Sequence, residues 1–161
     1  MPTSVSLGPP NRKLGAFVAM PTPAGGFAVV WETYGIGENL GLYQRIFDAT
    51  GAAVGAETGG ATADDFLGLW DANIDPTGRV LVLERHLLEN PIRGVLQLQL
   101  FDRNGLPAGA PQPLESAASG RYQQPFAGTV AWDGSSWLVT WAAEVHDLGP
   151  SAIFLRRFGG N

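Results

Sequence analysis

Short runs of mostly apolar residues, separated by segments with glycine and proline, recur along the whole chain. The clearest are residues 27–31 and residues 137–141, and both faces of each run are apolar. Successive side chains of a strand point to opposite faces, so such strands are expected to lie between two layers. The 22 glycines and 12 prolines fall between the runs, as in proteins with many strands joined by tight turns. The pattern predicts an all-β fold without long helices.

The runs recur in three copies of one unit. Residues 23–31 match residues 76–84, and residues 132–141 are the third appearance of this run. A second run, residues 42–51, recurs at residues 96–105 and again at residues 153–161. Because two independent runs keep the same spacing, the sequence predicts a repeat of about fifty residues.

Each repeat predicts a four-stranded antiparallel sheet. In the first repeat the strands fall near residues 17–20, 27–31, 42–47 and, weakly, 53–56, and residues 107–110 are the weak fourth strand of the second. Sheets repeated in line indicate β-propeller-like blades. Three blades are fewer than the typical number of about four to eight, so a three-sheet prism and a six-bladed ring of two chains stay open. The expected single domain comprises a closing strand within residues 1–14 and repeats at residues 15–65, 66–124 and 125–161.

The Gly-Gly-Phe-Ala-Val-Val-Trp run of residues 25–31, followed by Tyr-Gln-Arg-Ile-Phe-Asp from residue 43, resembles repeats of large bacterial surface and secreted proteins. The Trp-Asp-Gly-Ser-Ser-Trp run of residues 132–137 is similar to a variant of the same repeats. The second repeat departs from the pattern, with Glu84 where the others have tryptophan. The resemblance implies β-propeller-like blades, an extracellular or cell-surface location and a role in binding or adhesion.

The third repeat ends just after its third strand, whereas an extra alternating segment precedes the first repeat. We therefore predict that Thr3, Val5 and Leu7 pair with the strand that carries Ile153 and Leu155 and complete the last sheet. The alternative is a frayed terminal tail. If the strand is exchanged between chains, it would produce a dimer or a filament.

Composition narrows the possible partners. Hydrophobic residues make up 45% of the chain and charged residues 16%, which predicts a folded domain. The net charge of -5 argues against nucleic acid and anionic lipid as partners. The absence of cysteine excludes disulfides and thiolate chemistry. Residues 1–14 lack the pattern of a signal peptide, so a cytoplasmic location stays open beside the extracellular one.

Polar residues gather between the second and third strands of each repeat. Equivalent loops of a ring share one face, so these residues are candidates for a shared ligand site. The alternative is ordinary solvated loops. Including one aromatic residue beside a turn, the candidate ligand-binding residues are Glu32, Tyr34, Asn39, Arg85, His86, Asn90, Trp132, Glu144, His146 and Asp147.

Catalytic and metal chemistry have little support in the sequence. His86 and His146, with Glu144 and Asp147, match no metal-binding spacing, so we predict no metal and no cofactor. Glu32 and Glu144 are the only carboxylate pair we would nominate for glycoside hydrolysis. The sequence therefore predicts a non-catalytic binding module, with carbohydrate as the candidate ligand and Trp132 as the candidate stacking residue. A self-assembling structural protein is the alternative, and a glycoside hydrolase is the least favoured.

Overall fold

The computed structural model describes residues 13–35, 38–61, 66–89, 92–114, 123–145 and 152–159. These residues form eleven strands and no helix. The strands are β1 (Lys13–Pro21), β2 (Phe27–Gly35), β3 (Glu38–Phe47), β4 (Ala53–Ala61), β5 (Phe66–Ile74), β6 (Val80–Glu89), β7 (Ile92–Phe101), β8 (Gln112–Pro113), β9 (Gln123–Trp132), β10 (Trp137–Val145) and β11 (Ala152–Phe158). The described part of the chain contains no helix that could span a membrane.

The strands form three antiparallel sheets. Sheet A has the order β1-β2-β3-β4, sheet B the order β5-β6-β7-β8, and sheet C the order β11-β10-β9. Each sheet comes from one continuous stretch of chain, in which neighbouring strands pair in sequence order. The predicted all-β class is confirmed, and so are the first three strands of every repeat.

Sheet B lies between sheets A and C. We call the face that a sheet turns toward the next sheet along the chain its forward face, and the opposite one its backward face. Ala28 and Val30 on the forward face of sheet A pack against Val80 and Val82 on the backward face of sheet B. A second cluster joins the forward face of sheet B to the backward face of sheet C. It contains Leu81, Leu83, Leu96, Leu98, Val130, Trp137, Val139 and Trp141.

The fourth strands differ from the prediction. Strand β4 continues to Ala61, beyond the predicted residues 53–56, because a bulge lets pairing resume after Gly55. Residues 107–110 are not a strand: Pro107 forms one isolated bridge with Phe101, and the short β8 follows at Gln112–Pro113. Sheet B therefore has a fourth strand of only two residues.

The predicted closing strand, with Thr3, Val5 and Leu7, lies outside the described residues. Its proposed partner is strand β11, the edge strand of sheet C. Ile153 and Leu155 on β11 are 82% and 61% exposed, and they lie on the forward face of sheet C.

One turn geometry recurs at the same end of sheets A and B. In each copy the amide of a glycine donates a hydrogen bond to the carbonyl three residues earlier, at Thr22, Asp48, Asp75 and Asp102. The glycines have φ between +80° and +88°, where L side chains are strained. Each of the three aspartates also accepts bonds from the amides two and four residues later. The Asp-x-x-Gly pattern is therefore structural, as its turn chemistry indicates.

Asp75 is the aspartate whose loss should matter most. Its carboxylate is buried and accepts bonds from the amide and hydroxyl of Thr77 and from the amide and Nε of Arg79. Asp75→Ala leaves these donors without their acceptor, so we expect the free energy of unfolding to fall by about 2 kcal/mol. Asp102→Ala, in the more exposed equivalent turn, is the matched control and should cost less. Equal losses in chemical denaturation would contradict this ranking.

Acid should destabilise the fold through the aspartates of its turns, including Asp133 in the turn between β9 and β10. The Thr50 hydroxyl lowers the pKa of Asp48, the Leu106 amide lowers that of Asp102, and the Ser135 amide lowers that of Asp133. These carboxyls bind a proton more weakly in the folded chain than in the unfolded one, whose aspartate pKa is about 3.9. Stability should therefore be fully present well above pH 4 and decline as the pH falls below it. Denaturant titrations at a series of pH values would refute this if stability stayed constant from about pH 5 to pH 2.

Candidate functional site

The structure places the described candidate residues in strands, where the sequence suggested loops. Glu32 and Tyr34 lie in β2, Arg85 and His86 lie in β6, and Glu144 lies in β10. Asn39 lies in β3, and its side chain and that of Glu144 are outside the described part. Asn90, His146 and Asp147 are also outside the described residues. The second strands are longer than the alternating runs alone suggested.

Glu32 joins sheet A to sheet B. One carboxylate oxygen accepts a 2.8 Å bond from the Ala16 amide of β1, and the other accepts a 2.7 Å bond from the Leu69 amide of β5. Both amides lie next to bulges, where register shifts interrupt strand pairing. A side chain at Gly15 would collide with the carboxylate, so the glycine is needed for this close approach. Because both oxygens are bonded, Glu32 acts as a structural clamp.

Asp71 makes the corresponding link between sheets B and C, and the sequence did not single it out. Its carboxylate accepts a 2.8 Å bond from the Val130 amide and a second bond from the Thr129 hydroxyl, both on β9. Strands β1, β5 and β9 are the first strands of their sheets and lie on sheet edges. The two carboxylates therefore satisfy edge amides that strand pairing leaves open.

His86 and Glu84 form a buried pair on the backward face of sheet B. The exposed fractions of the residues are 4% and 5%, and Nε2 of His86 lies 2.9 Å from a carboxylate oxygen of Glu84. The Gln97 amide nitrogen is 3.4 Å from the same ring nitrogen. Glu84 is the residue that departs from the tryptophan of the other repeats, so this departure is matched by buried polar partners.

Arg85 points to the other face of β6, since neighbouring residues of a strand alternate. Its guanidinium carbon lies 5.8 Å from the centre of the Trp70 ring, in a cation–π contact. Tyr34 is 44% exposed. Glu32, Arg85 and His86 thus each make contacts within or between the sheets.

Trp132 lies at the other end of the sheets. It pairs with Trp137, whereas Glu144 pairs with Gln124 seven residues further along β10. Seven residues of strand span roughly 24 Å. Trp132 is therefore separated from the other candidates, on the side of the turns.

A groove between sheets B and C surrounds Trp132. We call it the B–C groove: a cavity of about 440 Å³, open to solvent. Its lining residues are Arg79, Leu81, Leu98, Leu100, Ala108, Ala110, Gln112, Trp132, Ser135, Trp137, Phe158 and Gly159. The small residues Ala108 and Ala110 occupy the region where sheet B lacks a continuous fourth strand, which leaves space beside Trp132.

An equivalent groove lies between sheets A and B. This A–B groove, of about 420 Å³, is lined by the β3–β4 hairpin and by the turns of sheet B that contain Gly78 and Gly105. Ala56 lines it, fifty-four residues before Ala110 of the B–C groove. Its other described lining residues include Gln44, Arg45, Thr58, Asp102, Arg103 and Asn104, and none of them is aromatic. The same architecture therefore produces an aromatic and a polar groove.

The carboxylate of Asp133 stabilises the turn between β9 and β10, beside the B–C groove. Amides of Ser135 and Ser136 donate to Asp133, and the guanidinium of Arg157 also bonds to this carboxylate. The two serine amides are the chief reason that the pKa of Asp133 lies well below its usual range.

Among the described residues, no three of His, Asp and Glu come together as a candidate metal site.

Removing the Glu32 clamp should destabilise the fold. Glu32→Ala leaves the Ala16 and Leu69 amides without their acceptor, so we expect a loss of about 2 kcal/mol in the free energy of unfolding. Glu32→Gln should recover part of this loss, because one amide oxygen remains. Tyr34→Phe, two residues along β2, is the control and should leave stability nearly unchanged. An unaltered denaturation midpoint in Glu32→Ala would contradict the clamp.

Comparison with known proteins assigns this chain to no family. Neither a scan against protein-family models nor a search of the curated proteins gives a match. The functional proposals below therefore depend on the geometry of the described residues.

Proposed function

We propose that this chain is a non-catalytic assembly module, in which two copies close head to tail into a ring of six β-propeller-like sheets. The forward face of sheet C in each copy packs on the backward face of sheet A in the other. The observation that carries the proposal is that these two end faces share apolar and aromatic residues, at equivalent strand positions, with the faces already packed inside the chain.

The forward face of sheet C has no described sheet against it, and it combines apolar residues with Thr129, Thr140 and Arg157. Leu138, Thr140 and Ala142 occupy the strand positions that Leu81, Leu83 and Arg85 occupy in sheet B, judged from the repeat spacing. Ile153 and Leu155 on the neighbouring strand are 82% and 61% exposed. Contiguous exposed apolar surface of this kind marks a site of protein association.

The backward face of sheet A resembles the backward face of sheet C. Trp31 pairs with Tyr43 and stacks on it at 6.0 Å, and Trp141 likewise pairs with Phe154 and stacks at 5.4 Å. In sheet C this aromatic pair packs against sheet B. In sheet A, Val29, Trp31 and Phe47 on this face are already buried within one chain, whereas Phe17 beside Trp31 is 69% exposed. Phe17, on the edge strand β1, would give sheet C of the second copy an apolar contact.

The number of sheets supports the closure of two chains into one ring. Three sheets fall short of the typical propeller number of about four to eight, and two chains supply six. A two-fold ring contains the proposed junction twice, so both end faces of both copies are covered. A junction that fails to close would instead extend into a filament.

Oligomeric mass tests the proposal. Light scattering should give twice the 17.0 kDa of one chain. Ile153→Lys places a charge in the junction, and we expect it to weaken association by at least about tenfold. Leu106→Lys is the matched control, because Leu106 is 60% exposed on a turn at the end of sheet B. A monomeric parent chain at high concentration would overturn the assembly function.

Mixing two variants tests the head-to-tail arrangement. Phe17→Lys damages only the backward face of sheet A, and Ile153→Lys damages only the forward face of sheet C. Each variant alone has two damaged junctions, whereas a mixed pair has one intact junction. We expect the mixture to recover dimer that neither variant forms alone. If Phe17→Lys dimerises normally while Ile153→Lys does not, the two copies associate through like faces and the ring is wrong.

A further inference from the structure

We propose that the B–C groove binds a single sugar ring, with Trp132 as the main contact for its apolar face. This site is distinct from the end faces of the assembly, because it lies between two sheets of the same chain. It is also at the opposite end of the sheets from Tyr34 and His86.

The groove has the form of a small-molecule site. Its volume of about 440 Å³ falls within the range of about 300–1,000 Å³ that is usual for such sites. Leu81, Leu98 and Trp137 at its base are buried, whereas Trp132 and Phe158 are half-buried. Trp132 packs edge to face on Trp137 with ring centres 5.1 Å apart, which fixes the position of the indole.

Polar side chains complete the groove. Gln112 and Ser135 are exposed and line it together with Arg79, whose side chain is 45% exposed. An amide, a hydroxyl and a guanidinium offer both donors and acceptors to ligand hydroxyls. A sugar ring has an apolar face of C–H groups and a rim of hydroxyls, so it matches one aromatic wall beside three polar groups. A purely apolar ligand would cover these exposed polar groups without replacing their hydrogen bonds to water.

The A–B groove provides an internal comparison. It has nearly the same volume and the same position relative to its two sheets, but none of its described lining residues is aromatic. Stacking on an indole is therefore possible in the B–C groove, whereas the described lining of the A–B groove offers no aromatic ring. We expect the sugar to select the B–C groove alone.

Nuclear magnetic resonance of the full chain with a panel of methyl glycopyranosides is the test. Binding of at least one of them should shift the indole N–H resonances of Trp132 and Trp137 and leave that of Trp31 in place. Ala110→Phe fills the B–C groove from an exposed loop and should weaken binding at least about tenfold. Ala56→Phe makes the equivalent change in the A–B groove and should bind as the parent does.

Two further variants separate a loss of the binding site from a loss of folding. Trp132→Ala should abolish the shifts, but it removes a packed side chain, so Gln112→Ala serves as a gentler change and should weaken binding without altering stability. The absence of any shift across the panel would overturn the proposal. Equal loss of binding in Ala56→Phe and Ala110→Phe, or shifts at Trp31 instead of Trp132, would also overturn it.

Discussion

The second strand of each repeat is apolar on both faces, and the rest of the structure depends on covering both. In β6 this requirement is met within the chain, because Val80 and Val82 pack against sheet A while Leu81 and Leu83 pack against sheet C. Sheet B therefore packs against sheet A on one face and against sheet C on the other. The same alternation in β2 and β10 leaves sheets A and C with an outward face each, to which no described sheet is applied.

Hydrophobic packing alone would let the sheets slide over each other, since it has no direction. The carboxylates of Glu32 and Asp71 remove that freedom. Each reaches from one sheet to an amide on the first strand of the next, at Leu69 and Val130, where an edge strand would otherwise present an open donor. One charged side chain therefore fixes the register between two sheets and satisfies an edge amide. This dual role explains why a polar residue occurs within an otherwise apolar strand.

The sequence was sufficient to predict the strands whose signal is local. Alternation gives β2 and β10, and the glycines and prolines between the runs give the turns, because a turn depends on a few neighbouring residues. The extent of β4 could not be predicted, since it depends on a bulge near Gly55 and on pairing with β3. The role of Glu32 was equally hidden, because its partner Leu69 lies thirty-seven residues away. Trp132 was identified as an exposed aromatic residue, but its groove results from the short fourth strand of another repeat.

The departure at Glu84 shows that the junctions between sheets are not interchangeable. Glu84 pairs with Gln97 across β6 and β7, at the position where sheets A and C have the aromatic pairs Trp31–Tyr43 and Trp141–Phe154. In sheet B this position lies beside the buried Glu84–His86 pair, and Gln97 keeps it polar. An aromatic pair needs an apolar sheet instead. Sheet A already buries Trp31 within the chain and leaves Phe17 exposed on the same face, so in the proposed ring it is Phe17 that the apolar residues of sheet C would cover.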